Sequence, residues 1–286
     1  MRLGIFARTF ARPSFEQVFD AVKSHGFDCV QFNFSCAGLP TVSQEIDSSL
    51  ITRIRCELED RSLFMAALSG TCNLIHPDVA ERQECVRRLQ MMLPICRELR
   101  APVLTLCTGT RDPENMWRAH PANNSRAAWT DLIGSLEKLL PMAEEQGISL
   151  GIEPEPSNVI NSAESARFLL DEIKSSSLKI VMDGVNLLDA NPTLVQSEVL
   201  ARACDLLGEH IILAHAKDLR RDPRFTDSSQ HRLNEAVRGG EGSAAFNFEH
   251  YISLLQRVGF DGSLVLHNIV EDDVASAVAF TRKIIK

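Results

Sequence analysis

The chain has 286 residues, of which 44% are hydrophobic and 24% are charged, and its formal net charge is −8. The length suits a single α/β barrel of roughly 250 residues. The negative charge argues against nucleic acid as a partner, because binding a phosphate backbone draws on clustered Lys and Arg. No apolar run approaches the roughly 20 residues that cross a bilayer, so no membrane partner is expected.

The cysteines and the start of the chain indicate a cellular compartment. Eight cysteines are scattered through apolar segments without a C-x-x-C pair, and no secretory segment precedes them. This pattern is typical of reduced thiols and predicts a cytoplasmic protein.

Short apolar runs alternate with amphipathic stretches along the whole chain. Ser14 and Gln17 have the spacing of a capping box at the start of the first helix, and Asp78 is a second candidate cap. Strands are predicted at 3–6, 29–34, 63–69, 102–106, in the run that ends at 153, and at 178–183, 211–216 and 263–267. Helices are predicted at 14–25, 45–60, 78–99, 125–146, 163–175, 194–207, 247–257 and 273–285.

A repeated strand–helix unit requires parallel strands with right-handed crossovers. Because no linker interrupts the repeat, the predicted fold is α/β, a single-domain (β/α)8 TIM barrel over residues 1–286. An open doubly wound sheet would require a glycine-rich turn after the first strand, and residues 7–10 contain no glycine. Two long loops are predicted at 107–124 and 217–246, and loops longer than about 15 residues are usually functional or disordered.

The run 147–156 is a buried strand that ends in carboxylates. Pro154 and Pro156 cannot donate to a sheet ladder, so they stop the strand directly after Glu153. A carboxylate at the carboxyl end of a barrel strand is typical of a catalytic or metal-binding position. The alternative is an acidic surface turn.

Strand parity predicts that four polar side chains meet. Side chains alternate between the faces of a strand, and the last four predicted strands each end in a polar residue on the same face. These residues are Glu153, Asp183, His215 and His267. Two carboxylates and two imidazoles suit a divalent metal ion, and the set leaves Mn²⁺, Co²⁺, Zn²⁺ and Mg²⁺ open. Taken singly, each histidine could be a hydrogen-bonded interior residue, and Asp183 could cap the next helix.

Further polar residues near the strand ends are candidates for substrate binding. They are Asn186, Lys217, Asp218, Asn73, His76, Arg111 and Trp117, with Asn33 and Glu155 held more loosely. Trp117 could form a wall for a sugar ring, or it could pin its own loop. Arg111, with Arg220 and Arg221, could grip a phosphate, or these could be solvated loop charges.

Four motifs together carry a family resemblance. They are Gly-Ile-Glu-Pro-Glu from 151, Val-Met-Asp-Gly-Val-Asn from 181, His-Ala-Lys-Asp from 215 and Gly-Ser-Leu-Val-Leu-His from 262. As a set they resemble the xylose isomerase-like TIM-barrel superfamily of sugar phosphate isomerases and epimerases. The resemblance implies a metal held by Glu153, Asp183, His215 and the residue that ends the last strand. Epimerases of this group typically have glutamate there, where this chain has His267.

The resemblance implies a divalent-metal-dependent isomerase or epimerase acting on a sugar, a sugar phosphate or an inosose through a metal-stabilised enediolate. Glu153 is the first candidate base and His267 the second. A metal-dependent lyase or dehydratase on a keto sugar or inosose is the alternative, since one base and one acid suffice for it. An endonuclease IV-like nuclease is disfavoured, because Asn186 occupies a position where such an enzyme requires a histidine. A non-catalytic barrel is a further alternative, and a homo-oligomer stays open.

Overall fold

Eight parallel strands close into a barrel in the computed structural model, which describes residues 1–189, 195–217 and 246–285. The strands follow one another around the barrel in chain order, and the last pairs with the first. They are β1 (Arg2–Phe6), β2 (Cys29–Phe32), β3 (Phe64–Ser69), β4 (Val103–Cys107), β5 (Ser149–Glu153), β6 (Leu178–Asp183), β7 (Ile211–Ala216) and β8 (Ser263–Leu266). The predicted TIM barrel is therefore confirmed.

Nine α-helices lie within the described residues. They are α1 (Phe15–Ser24), α2 (Ser48–Asp60), α3 (Val79–Glu98), α4 (Arg126–Gln146), α5 (Ala163–Ile173), α6 (Gly184–Asp189), α7 (Gln196–Leu207), α8 (Phe248–Arg257) and α9 (Glu271–Ile284). Eight of them correspond to predicted helices, and the short α6 directly after β6 was not predicted. No helix in this part of the chain is long and apolar enough to cross a membrane.

Local sequence signals fix several of these boundaries. Ser14 Oγ accepts a hydrogen bond from the Gln17 amide at the start of α1, and Asp78 accepts from the second and third amides of α3, as the cap spacings predict. Gly147 ends α4 with φ at +67°, a conformation that favours glycine, and β5 begins two residues later.

The barrel interior confirms the predicted strand parity. Small and aliphatic side chains fill it, among them Val181, Leu213 and Val265, each two residues before a polar residue predicted to lie at the rim. Gly151 of β5 also faces inward, since a Cβ there would lie 2.9 Å from side-chain atoms of Val103 and Val181. A larger hydrophobic cluster packs the helices against the outside of the barrel.

Two predicted strands end earlier than expected. β2 stops at Phe32, because a short 3₁₀ helix begins at Phe34 and is capped by the Asn33 side chain. β8 stops at Leu266, although the His267 amide still donates to the Ala216 carbonyl of β7, at 3.0 Å. His267 thus keeps the position at the strand end that parity predicts.

One cysteine pair contradicts the expectation of reduced thiols. Cys72, after β3, and Cys85, on α3, form a disulfide with a Cα–Cα distance of 6.2 Å, whereas the other six cysteines are free. The sequence could not show this pair, because a separation of 13 positions between the two cysteines gives no indication that the loop folds back onto α3. A cytoplasmic location stays a prediction.

Candidate active site

A cavity of about 610 Å³ opens at the carboxyl ends of the strands. Its size lies in the range of small-molecule sites, roughly 300–1,000 Å³. Residues from seven of the eight strand ends reach its wall, including Gln31, Cys107, Glu153, Glu155, Lys217 and His267. The cavity is where active sites of TIM-barrel enzymes occur.

Glu153, at the end of β5, is held by side chains from neighbouring strand ends. Its Oε1 accepts a hydrogen bond from Asn186 Nδ2 at 3.1 Å and lies 3.2 Å from His215 Nδ1. The residue is 8% exposed and lines the cavity, so its carboxylate is oriented by the protein and open to a ligand.

Asp183, at the end of β6, uses its two oxygens differently. Oδ1 accepts from the amides of Val185 and Asn186 and so caps α6, as the helix-capping alternative anticipated. Oδ2 is buried without a hydrogen-bond partner among the described residues, and lies 3.4 Å from Lys217 Nζ and 3.7 Å from His215 Nδ1. Burial alone would raise the pKa of Asp183, but the Lys217 ammonium and His215 lower it below the usual 3.8.

Lys217 and Asn186 connect these two carboxylates. Lys217 Nζ donates to Asn186 Oδ1, and the Asn186 amide donates in turn to Glu153. Both residues are almost fully buried, at 3% and 2% exposed. A buried ammonium is stable here because Asp183 and Asn186 surround it.

His215 lies between the two carboxylates and the opposite wall of the barrel. Its Nε2 lies 2.9 Å from Gln31 Oε1 of β2, and because an amide oxygen only accepts, Nε2 carries a proton. Burial disfavours the charged ring, but Glu153 and Asp183 outweigh it and raise the pKa of His215 to about 9. Without a metal, the ring is therefore an imidazolium at neutral pH.

His267 is stacked between two rings. Its centroid lies 4.6 Å from that of His215 and 4.9 Å from that of Phe6, with interplanar angles of 13° and 24°. Burial, followed by the charge of His215, lowers the pKa of His267 well below 6.5. Its Nδ1 is buried and has no hydrogen-bond partner among the described residues. A neutral imidazole nitrogen is thus available to a ligand.

The predicted four-residue set occupies two adjoining groups. Ligand atoms of Asp183, His215 and His267 all lie within 4.8 Å of one another, and so do those of Cys107, Glu153 and Glu155. The contact between Glu153 Oε1 and His215 Nδ1 joins the two groups. All four predicted ligands therefore converge, with Asp183 and the two histidines in one group.

Glu155 adds a second carboxyl to the cavity beside Glu153. Burial, followed by the charge of Glu153, raises the pKa of Glu155 to about 8. Glu155 therefore keeps its proton at neutral pH. A carboxyl with a raised pKa beside a second carboxyl is typical of acid–base sites.

The remaining predicted substrate-binding residues separate into two groups. Trp117 and Lys217 line the cavity, and Asn186 donates a hydrogen bond to Glu153. Asp218 lies outside the described residues, as do Arg220 and Arg221.

Asn73, His76 and Arg111 are not among the described residues of the cavity wall, and their contact with substrate stays a prediction. Asn73 donates to the Thr110 carbonyl and accepts from its amide, and His76 Nε2 lies 3.1 Å from the Pro113 carbonyl oxygen. Arg111 donates to the Ile75 carbonyl and to Asp131 of α4. These three residues join the loops after β3 and β4 to each other and to α4.

Sequence reasoning missed several residues of the site, among them Phe6, Arg8 and Gln31. Each follows or lies within an early strand, whereas the predicted metal ligands come from the last four strands. Gln31 gave a usable signal, because it is a polar side chain on the inward face of an otherwise apolar strand. Phe6 and Arg8 gave none, since an aromatic or arginine at a strand end is common.

A known protein family and several solved structures share this fold. The xylose isomerase-like TIM barrel family profile matches residues 19–284. No curated protein matches the sequence. Solved structures with the same fold include D-psicose 3-epimerase from Clostridium cellulolyticum H10 with D-tagatose, at 14% identity, full coverage of both chains and a TM-score of 0.75.

Two further structures have the same fold. The 3-keto-D-glucoside 4-epimerase from E. coli is 16% identical, with 99% of each chain covered and a TM-score of 0.74. The IOLI protein with a bound zinc atom is 14% identical, with 100% of this chain and 98% of that chain covered and a TM-score of 0.74. Since the family profile covers nearly the whole chain, the protein belongs to the xylose isomerase-like TIM barrel family.

Proposed function

We propose that this protein is a divalent-metal-dependent isomerase or epimerase of a sugar, a sugar phosphate or a related polyol such as an inosose. The observation that carries the proposal is the convergence of Glu153, Asp183, His215 and His267 at one end of the barrel. Epimerase structures among the fold relatives support the reaction class.

The residues present fit a divalent metal ion. Asp183 Oδ2 and His267 Nδ1 are both buried without hydrogen-bond partners among the described residues, a costly state that a cation would relieve. Asp183, His215 and His267 would hold the ion, with Glu153 as the fourth ligand, and oxygen and imidazole donors suit Mn²⁺, Co²⁺ or Zn²⁺ as well as Mg²⁺. When bound, the ion would supply Lewis-acid polarisation of a substrate carbonyl.

Glu153 is the candidate base. Its carboxylate faces the cavity and is oriented by the Asn186 amide, so it could remove a proton from the carbon beside the substrate carbonyl to give an enediolate. His267 lies at the end of β8, across the mouth from β5, and its neutral ring is the second candidate base, which could accept a proton on the other side while protonated Glu153 gives its own proton back. Trp117 closes one side of the cavity with an apolar surface.

A lyase or dehydratase is the second candidate, and Glu155 favours it. A carboxyl that keeps its proton beside the base Glu153 is placed to donate to a leaving group. Loss of water or of an aglycone changes the product mass, whereas isomerisation does not. Mass spectrometry of the product therefore separates the two reactions.

The proposal is tested by metal analysis followed by exchange of substrate protons. We expect purified protein to bind about one divalent ion per chain and, with keto sugars or inososes in D₂O, to exchange the proton next to the carbonyl. Asp183→Asn should lower metal occupancy and reduce exchange by about 10²-fold or more, because it removes a charged ligand. Asp261→Asn, an exposed change at the other end of β8, should alter neither. Exchange that persists in metal-stripped Asp183→Asn would contradict the proposal.

A further inference from the structure

We infer that Arg8 forms a subsite for an anionic group of the substrate, a carboxylate or a phosphate carried away from the reacting carbon. The inference rests on the proposed function and narrows its substrate class. Arg8 belongs to the 3₁₀ turn Ala7–Thr9 that follows β1 and lines the same cavity as Glu153 and His267.

Arg8 lies next to the proposed catalytic residues but is not one of them. It lies two residues beyond Phe6, whose ring stacks on His267. Because β1 pairs with β8 on one side and β2 on the other, the turn after β1 lies at the rim next to His267. A substrate held at Glu153 and His267 would therefore direct a distal group toward this part of the mouth.

Arg8 has no counter-ion among the described residues. The other Lys or Arg side chain of the described cavity wall, Lys217, is engaged by Asp183 and Asn186. Arg12, four residues after Arg8, forms an ion pair with Glu271 of α9. Arg8 makes neither an ion pair nor a hydrogen bond within the described part of the chain, and its side chain is exposed to the cavity mouth.

The chemistry of this position selects an anion. A guanidinium presents a planar pair of donors that matches a carboxylate or a phosphate in bidentate geometry. Thr9, the residue after Arg8, also lines the cavity and is neutral, so it can add a hydrogen bond without competing for the charge. A neutral hydroxyl group would accept hydrogen bonds from Arg8 but would not be attracted by its charge.

The test compares three ligands that differ at one end: D-fructose, D-fructose 6-phosphate and the ketohexuronate D-fructuronate. Their affinities for the metal-loaded protein are measured by calorimetry. We expect at least one of the two anions to bind about tenfold more tightly than fructose or better, since a charge-assisted hydrogen bond contributes that much. The anion that binds more tightly than fructose shows whether the subsite takes a phosphate or a carboxylate.

Matched variants test whether Arg8 causes the tighter binding of the anion. Arg8→Gln should remove most of the advantage of the anion while changing fructose binding less than about twofold, and Arg8→Lys should keep part of it. Arg12→Gln, which removes a paired arginine of the same loop, should leave the ratio unchanged. Thermal unfolding of each variant reports whether the fold is intact.

Two outcomes overturn the inference: neither anion binds more tightly than fructose, or Arg8→Gln and Arg12→Gln lower the affinity of the anion equally. Deuterium exchange with the same ligands separates this failure from failure of the proposed function. Exchange with fructose but no anion preference rejects only the subsite. An Arg8-dependent anion preference without exchange in any ligand rejects only the proposed reaction.

Discussion

Gln31 and His215 are 184 residues apart in the chain, and a hydrogen bond of 2.9 Å joins them across the barrel. Because Gln31 Oε1 accepts the Nε2 proton, Nδ1 is the ring nitrogen that faces Glu153 and Asp183. Gln31 is itself buried, and its amide nitrogen lies 3.5 Å from Ser69 Oγ of β3. A metal-ligating histidine commonly donates its other ring N–H to such an acceptor, which fixes the ring.

We predict that Gln31→Leu weakens metal binding by about 10- to 100-fold, the usual effect of removing an outer partner of a histidine ligand. The variant loses the acceptor that holds His215 with Nδ1 toward the carboxylates. Zn²⁺ affinity is measured by competition with a chromophoric chelator. Gln31→Glu, which keeps an acceptor at the same place, should bind Zn²⁺ within a few-fold of the wild-type protein. Equal affinity in Gln31→Leu and wild type would show that Gln31 does not position His215.

At the scale of elements, strand ends were predictable and loops were not. Alternation along β5, β6 and β7 is a local property, so Glu153, Asp183 and His215 could be assigned to one face from the sequence alone. Contacts of the loop after β4 depend on which distant groups face it. Arg111 reads as a free cation in the sequence, yet the structure pairs it with Asp131, 20 residues later.

Sequence signals for α6 and for the early strands were weaker than those for β5, β6 and β7. α6 is only six residues long and follows β6 without an intervening loop, so no helical period can develop. Gln31 could be placed on the inward face of β2, but its partner His215 could be named only once the barrel register was known. Candidate ligands were therefore predictable, whereas the hydrogen bonds that orient them were not.

Gly109 controls how the loop after β4 meets the loop after β3. Its φ is +82°, and a Cβ there would lie 2.0 Å from Asn73 Oδ1 and 3.0 Å from Asn73 Cα. The amide of Gly109 donates to Asn158 Oδ1 at 2.7 Å, so the residue cannot move without breaking a buried hydrogen bond. Close packing at this position holds the loop that leads to Trp117.

We predict that Gly109→Ala lowers the free energy of unfolding by about 2–4 kcal/mol, because a left-handed backbone costs about 1–2 kcal/mol for alanine and the clash with Asn73 adds to it. Urea unfolding measures the change. Gly134→Ala is the matched control, since Gly134 lies inside α4 with no atom within 4 Å of its added Cβ. That variant should be unchanged or more stable by up to about 1 kcal/mol. A Gly109→Ala protein as stable as wild type would show that the loop can relax.

At the scale of the whole molecule, the barrel must close between the two ends of the chain. β1 pairs with β8, and Asp28, just before β2, connects both ends on the outside. Its Oδ2 accepts from the Leu3 amide of β1 at 2.9 Å, and both its oxygens accept from Arg282 of α9 at 2.9 Å. Arg282 also donates to the Gly26 carbonyl at 2.7 Å. One carboxylate thus fixes the last helix against the first strand.

The charge of Asp28 makes this connection dependent on pH. Burial would raise the pKa of Asp28, but the hydrogen bonds from Arg282 and Leu3 outweigh it and lower the pKa below 3.8. A depressed pKa means that the folded state binds the proton less readily than the unfolded state. The stabilisation is therefore complete above about pH 4 and is lost as the pH falls through the folded-state pKa.

We predict that Asp28→Asn lowers the free energy of unfolding by about 1 kcal/mol at pH 7, the size of a partly exposed ion pair with one backbone hydrogen bond. The difference from wild type should shrink as the pH is lowered from 4 toward 2, because wild-type Asp28 then becomes protonated as well. Urea unfolding at several pH values measures it. Asp261→Asn, which removes an exposed carboxylate, should show no such trend. A difference that stays constant down to pH 2 would show that Asp28 acts through its shape and hydrogen bonds, and that its charge contributes nothing to barrel closure.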